Sequence, residues 1–214
     1  NEGAGLGYAQ AIKSFLRQDT DVMLIGETRD PRTAQNAMQA ALSGHLVVTS
    51  LHTNNALSTI YRLQEMGVEK FLVANAVSGV IAQRLVRKIC QDCREKRSYD
   101  EPTVRSIFGP SAEIPQLWEG RGCKSCNETG YKGRIGVFEA LNVNEELRSS
   151  IGAGEPMKEI RRTALNAGMV TLREYSKYLL RRGLTTPPEV LRILYSEDEF
   201  DMEVEDVICP SCGY

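Results

Sequence analysis

The chain has 214 residues, 42% of them apolar and 25% charged, with 18 glycines and 8 prolines. That is enough for one ordinary domain or two small ones with a real core, and it excludes collagenous, low-complexity and wholly disordered classes. The net charge of −2 hides an asymmetry, since seven acids lie between 197 and 206 and the remainder carries 26 basic against 21 acidic groups. So mild a basic excess permits contact with an acidic protein or lipid surface but does not mark a nucleic-acid binder, and no nucleic-acid partner is expected. Apolar runs such as Val22 to Ile25 fall far short of the roughly 20 residues of a membrane span, and no basic-then-apolar signal peptide occurs. A cytoplasmic protein is therefore expected. The chain begins without Met, inside the approach to a helix, and reads as a piece of a longer protein.

In chain order, Tyr8, Ile12, Phe15 and Leu16 follow helical spacing up to Asp19. Val22 to Ile25 is a continuous apolar run of strand length, ending in Gly26-Glu27-Thr28-Arg29-Asp30. Asp30-Pro31 then opens a helix, Asp as N-cap and Pro at the first helical position, which Gly44 closes. Leu46 to Leu51 is the next strand, rich in β-branched residues. Asn55 caps a helix running to Gly67, and a further amphipathic stretch reaches Arg87. This alternation predicts a parallel sheet covered on both faces. Beyond the cysteines, Arg134 to Leu141 reads as a strand, after which the chain turns helical. Thr171-Leu172-Arg173-Glu174 and Thr186-Pro187-Pro188-Glu189 both have the form of a capping box.

Six cysteines form three pairs of one spacing: Cys90 with Cys93, Cys123 with Cys126, and Cys209 with Cys212. Without an export signal, metal ligation is the better reading than disulfides. The first two pairs, separated by 29 residues, supply four thiolates for tetrahedral zinc, with a longer inserted loop than common zinc motifs carry. Four thiolates close the coordination shell, leave no position for water and imply a structural site. The third pair, Cys209 and Cys212, sits behind the acidic run; it can complete a site with another subunit, bind a second metal or stay free. These cuts give four segments: an α/β part at 1–85, a zinc knuckle at 86–133, a return strand and helices at 134–196, and an acidic tail at 197–214.

Reacting groups in open α/β sheets lie at the carboxyl ends of strands. Glu27 ends an apolar strand there, as does the acid that holds Mg²⁺ or polarises water in a Walker B element. Asp30 has an alternative as helix N-cap, and Arg29 can reach a phosphate or pair with Asp30. His45 and His52 stand at opposite ends of the second strand, so they cannot share one metal. His52, at the same end as Glu27, is the better placed to meet a phosphate; His45 is an orienting or a buried, hydrogen-bonded residue.

Several runs together resemble the type II secretion and type IV pilus assembly ATPases (the GspE/PilB secretion ATPase superfamily). Val22-Met23-Leu24-Ile25-Gly26-Glu27-Thr28-Arg29-Asp30 resembles that family's Walker B box, and Phe15 to Asp19 its lead-in. Gly44 to Asn54 resembles its His box, and Ala82 to Cys90 the entry to its tetracysteine site. Gly133-Arg134-Ile135-Gly136-Val137-Phe138-Glu139 and Gly168 to Glu174 resemble later segments, so that the likeness spans residues 1 to 195 in order. It implies a RecA-like P-loop NTPase core with an inserted tetracysteine knuckle and a C-terminal helical subdomain. It also implies a hexameric ring at the cytoplasmic face of the inner membrane that couples ATP hydrolysis to movement of a platform protein. ATP, Mg²⁺ and Zn²⁺ are the implied cofactors. Glu27 would act on Mg²⁺ or its water, and His52 would sense the terminal phosphate. Arg29, Asp30 and His45 join the nucleotide-side set, and Cys90, Cys93, Cys123 and Cys126 would hold zinc. Retraction-type relatives generally lack the tetracysteine insert, which favours a secretion or assembly motor.

Two departures qualify this expectation. No G-x-x-x-x-G-K-[ST] occurs, and Gly3-Ala4-Gly5-Leu6-Gly7 is followed by no Lys-Ser or Lys-Thr, so the phosphate cradle is missing and this stretch is not expected to hydrolyse ATP by itself. The acidic run and the pair Cys209 and Cys212 extend past the usual end. The competing class is a non-catalytic zinc-ribbon scaffold or binding module derived from such an ATPase.

Overall fold

In a computed structural model of the chain, residues 7–194 are described. The acidic run, Cys209 and Cys212 lie outside the described residues, as does most of the Gly3–Gly7 run. The chain divides into two compact units, Asn1–Ile81 with Ala140–Met169, and Ala82–Glu139 with Val170–Tyr214.

The first unit opens with α1 (Tyr8–Phe15), followed by β1 (Val22–Ile25), α2 (Pro31–Leu42), β2 (Leu46–Thr49) and α3 (Ala56–Glu65). Pro31 pre-sets the first turn of α2, and Asp30 accepts hydrogen bonds from Thr33 N at 2.9 Å and Thr33 Oγ1 at 2.6 Å. Asn55 and Ser58 make the reciprocal box that starts α3, Asn55 Oδ1 accepting from Ser58 N at 2.8 Å. β1 and β2 run parallel, Val22 opposite Leu46 and Ile25 opposite Thr49.

Alternation along this pair sends Met23 and Ile25 into the core. The opposite face is not covered as expected: among the described residues Val22, Leu24, Leu46 and Val48 face outward, Leu24 at 80% exposure. The two strands pair only with each other among the described residues, and α2 packs against β2.

The stretch expected to run amphipathically to Arg87 is two elements, α4 (Lys70–Ala76) and β3 (Gly79–Ile89), the latter hydrogen-bonded to β6 (Tyr131–Asn142). β3 and β6 each begin in one unit and end in the other. After β6, Asn144 caps α6 (Glu145–Ala153) by accepting from Leu147 N at 2.9 Å, and α7 (Met157–Asn166) completes the first unit.

The second unit inserts β4 (Arg94–Arg97), α5 (Glu101–Phe108) and β5 (Leu117–Gly120) between the cysteine pairs. β4 and β5 are antiparallel, Arg94 opposite Gly120. Its other helices are α8 (Leu172–Arg181) and α9 (Pro187–Leu194). Val104, Ile107 and Phe108 of α5 share one buried cluster with Leu179 and Leu180 of α8 and with Val190 and Ile193 of α9. The long insert therefore has a core partner, which explains why 29 residues separate the cysteine pairs. Thr171 caps α8 as expected, accepting from Glu174 N at 3.2 Å. Glu189 does not fold back to cap α9; its carboxylate is engaged by Arg87.

Candidate functional site

Two clusters of chemically active side chains stand out, one in each unit. The first lies where β1 and β2 end. Glu27 follows β1 and His52 follows β2, and parallel pairing in register brings the two loops side by side. His52 Nε2 lies 2.8 Å from Glu27 Oε1, and Arg29 Nη2 lies 2.5 Å from Glu27 Oε2. Glu27 is 17% exposed, whereas the Arg29 and His52 side chains are 76% and 87% exposed.

The loops are tied from beneath. Thr28 and Thr49 share a hydroxyl hydrogen bond of 2.8 Å, Thr28 N donates to Ser50 O at 3.0 Å, and Ser50 Oγ donates to Gly26 O at 2.7 Å. Sequence reasoning missed these residues. The signal was available in a Thr and a Ser at the exits of two adjacent strands, but small hydroxyls there are too common to stand out.

The hydrogen bond from Arg29 holds the Glu27 carboxyl below its ordinary range, with the nearby Arg29 and His52 charges adding to the effect against some desolvation. Glu27 is thus a carboxylate at neutral pH, better suited to orient a cation or a water than to abstract a proton, which calls for a pKa near the working pH. Its Oε1 is a buried atom with no well-aligned hydrogen bond, a donor set of the kind that Mg²⁺ or a water satisfies.

Of the other expected residues, Arg29 pairs with Glu27 rather than with Asp30. Asp30 is occupied as the N-cap of α2, and its hydrogen bonds from Thr33 lower its pKa. His45 is not brought to this cluster. It precedes β2 at the opposite end, its Nδ1 3.1 Å from Ala40 O and 3.1 Å from Ser43 Oγ.

The second cluster is Cys90, Cys93, Cys123 and Cys126, whose sulfurs all lie within 4.8 Å of one another. Each pair sits on a short 3-10 turn, Gln91–Cys93 or Lys124–Cys126. Sγ–Sγ distances are 3.9 Å for Cys90–Cys123, 3.9 Å for Cys93–Cys126 and 3.7 Å for Cys123–Cys126. A regular tetrahedron with Zn–S bonds of about 2.3 Å has edges of about 3.8 Å, close to these three separations. Cys209 and Cys212, expected as a possible second metal site, both lie outside the described residues.

Burial pushes the Cys93 thiol up to about 12. Burial also opposes ionisation of Cys126, but the backbone N–H groups of Cys123 and Gly130 point at its sulfur from 3.2 and 3.3 Å and bring it to about 7. Four such thiols give up their protons together when a cation takes their place. These residues can hold a metal ion.

A family model described as "Type II/IV secretion system protein" matches residues 1–192. The chain belongs to that family. Among curated members, it is 47% identical over 193 residues to the type IV pilus assembly ATPase PilB of Thermus thermophilus, covering 89% of this chain and 22% of that protein. It is 41% identical to the type II secretion system protein HxcR of Pseudomonas aeruginosa, covering 90% and 38%. To the type II secretion system protein E of Klebsiella pneumoniae it is 42% identical, again over 90% and 38%. The chain thus spans well under half the length of these relatives. Among solved structures, the pilus retraction motor PilT with bound ADP aligns at a TM-score of 0.62 and 24% identity, over 87% of this chain and 43% of that one. The Legionella pneumophila ATPase DotB aligns at 0.63 and 20% identity, over 89% and 42%. Both support the α/β fold of this secretion-family chain. Among its described residues no helix is long and apolar enough to cross a membrane.

Proposed function

We propose that this chain is the later part of an ATP-hydrolysing motor that drives type II secretion or type IV pilus assembly. Membership of the family supports the setting. The single observation that carries the chemistry is Glu27, held ionised by Arg29 at the carboxyl end of β1 with its Oε1 2.8 Å from His52 on the adjacent strand exit.

In this reading Glu27 Oε1 would hold Mg²⁺ or the water beside it, and Mg²⁺ when bound neutralises charge on the phosphates. His52 carries an exposed ring over the same spot and is the group that meets the terminal phosphate. Arg29 keeps Glu27 charged. Thr28, Thr49 and Ser50 hold the two loops in register, so that Glu27 and His52 are aligned before substrate arrives; phosphoryl transfer gains most from such positioning. Asp30 fixes the start of α2 just behind Arg29. The phosphate-binding loop would be supplied by sequence that these 214 residues do not contain.

The motor would act as a hexameric ring at the cytoplasmic face of the inner membrane, pushing on a platform protein. Residues 86–133 would form its zinc knuckle, with one ion held by Cys90, Cys93, Cys123 and Cys126 in a structural role. The test of the catalytic assignment is ATP turnover by the full-length protein, wild type against Glu27→Gln. The amide keeps the shape and removes the charge, so turnover should fall by roughly 10²- to 10³-fold with the circular dichroism spectrum unchanged. Turnover within twofold of wild type would remove Glu27 from the mechanism.

A further inference from the structure

We infer that Glu189, far from the cysteines in sequence, is a positioning residue for the metal loop, clasping both of its strands to the start of α9. The inference rests on the reading of the four cysteines as a zinc site.

Glu189 is only 3% exposed although it carries a full charge. Its Oε2 accepts from the backbone N–H of Arg87 at 2.7 Å and from Arg192 Nη2 at 3.2 Å. Its Oε1 accepts from Arg87 Nε at 2.9 Å, with Arg87 Nη2 also at 2.9 Å. The same guanidinium lies over the Tyr131 ring, 4.0 Å from its centroid, and the Tyr131 hydroxyl is 2.9 Å from Thr186 Oγ1. Thr185 Oγ1 donates to Arg87 O at 2.9 Å, and Ile89 N donates to Leu184 O at 2.9 Å.

Arg87 lies three residues before Cys90, and Tyr131 five after Cys126. They are therefore the two posts of the gate through which the chain enters and leaves the cysteine loop. The line of contacts then runs on to the metal ligands. Cys90 N donates to Gly130 O at 3.0 Å, and Gly130 N donates to Cys126 Sγ at 3.3 Å. Segment 184–189 thus takes the place of a further strand along β3 and fixes the separation of the two posts.

A buried ion pair by itself is weak evidence for stability, since an apolar replacement often does as well. A carboxylate that grips a backbone N–H at a strand edge is different, because its removal leaves a buried donor with no acceptor. If the clasp raises the affinity of the loop for its metal, then by linkage the metal raises the hold on segment 184–189 by the same factor. Metal binding would in this way set the placement of α9, whose buried face belongs to the core shared with α5 and α8.

The experiment uses the zinc-loaded full-length protein and follows zinc transfer to a chromophoric chelator. Wild type establishes stoichiometry, with one zinc per chain expected. Glu189→Gln should release zinc at least about tenfold faster. Thr186→Val, which removes only the hydroxyl that meets Tyr131, should accelerate release by about two- to fivefold and keeps the test open should Glu189→Gln fail to fold. Leu180→Ala opens a cavity among the same helices without touching the clasp; it should lower the melting temperature yet leave release within about twofold. In hydrogen exchange, stripping zinc should deprotect 184–194 in wild type.

A wild-type protein that binds no zinc overturns both the metal reading and the clasp. One zinc per chain with wild-type release in Glu189→Gln, or equal acceleration by Leu180→Ala, overturns the clasp alone.

Discussion

The two clusters solve opposite problems with the same kind of local device. At the cysteines, four sulfurs lie within 4.8 Å of one another, and three of the four residues are buried. At the strand exits, Glu27 is anchored but His52 and Arg29 project into solvent. The first cluster is largely buried, whereas two of the three side chains of the second are open to solvent. Under the proposed function, burial is what a structural metal would require, and exposure is what would let a phosphate reach Glu27 and His52.

The comparison breaks most sharply at the metal. Replacing Cys90 and Cys93 by serine should abolish zinc binding, on the order of 10 kcal/mol of folding free energy for such centres, and deprotect 86–133 in hydrogen exchange. Helices α2, α3 and α6 should keep their protection; if they lose it, the two regions are not independent. A cavity in the other unit should do the reverse. Leu147, fully buried in α6, changed to Ala should cost about 2–5 kcal/mol in thermal melting while zinc content stays at one per chain.

Smaller effects sharpen the picture at the strand exits. Asp30→Ala removes the cap of α2 and should cost about 1 kcal/mol at neutral pH. The Asp30 carboxyl is held below its ordinary value of 3.8, first by the Thr33 hydroxyl. Its contribution is present above that ordinary value and fades as pH falls through the lowered one. The wild-type advantage over Asp30→Ala in melting should therefore shrink as pH is taken from 5 toward 2, with pH 5 to 8 giving a constant difference. Thr28→Val should cost least in stability, about 0.5–1.5 kcal/mol. Because it loosens the tie beneath Glu27 and His52, its fractional effect on turnover by the full-length protein should exceed its effect on melting.

Much of this architecture was legible because local chemistry and tertiary use agree. Asp30-Pro31 and Asn55 carry the chemistry of helix caps, short apolar runs such as Val22 to Ile25 and Leu46 to Thr49 have strand length, and two C-x2-C pairs leave a metal little choice of ligands. The stretch to Arg87 failed for a definable reason. Ala82, Val86 and Ile89 are buried at intervals of four and three, which is helical spacing, yet they belong to strand β3; pairing with β6 overrode the apparent period. Glu189 was legible as an acid three residues into a capping box, but nothing local shows that a strand edge 102 residues away needs its carboxylate. His45 and His52 were separable in sequence because they flank opposite ends of one strand, and the parallel register of β1 and β2 sets His52 beside Glu27 while His45 is hydrogen-bonded at the far end. The interior of the cysteine insert was opaque because its short elements draw their core from α8 and α9.

Gly120, at the end of β5, and Gly130, just before β6, lie with their backbones in direct contact. A Cβ built on either would overlap the other's carbonyl oxygen, and Gly130 also has a φ of +76°. At this crossing the chain has spent every atom of clearance it had. The insert between the cysteine pairs is thus held twice, by the core that Val104, Ile107 and Phe108 share with α8 and α9, and by a return point that admits no side chain. One added methyl group at either glycine would push β5 away from the start of β6, and with it the two ends of the loop that carry the cysteine pairs.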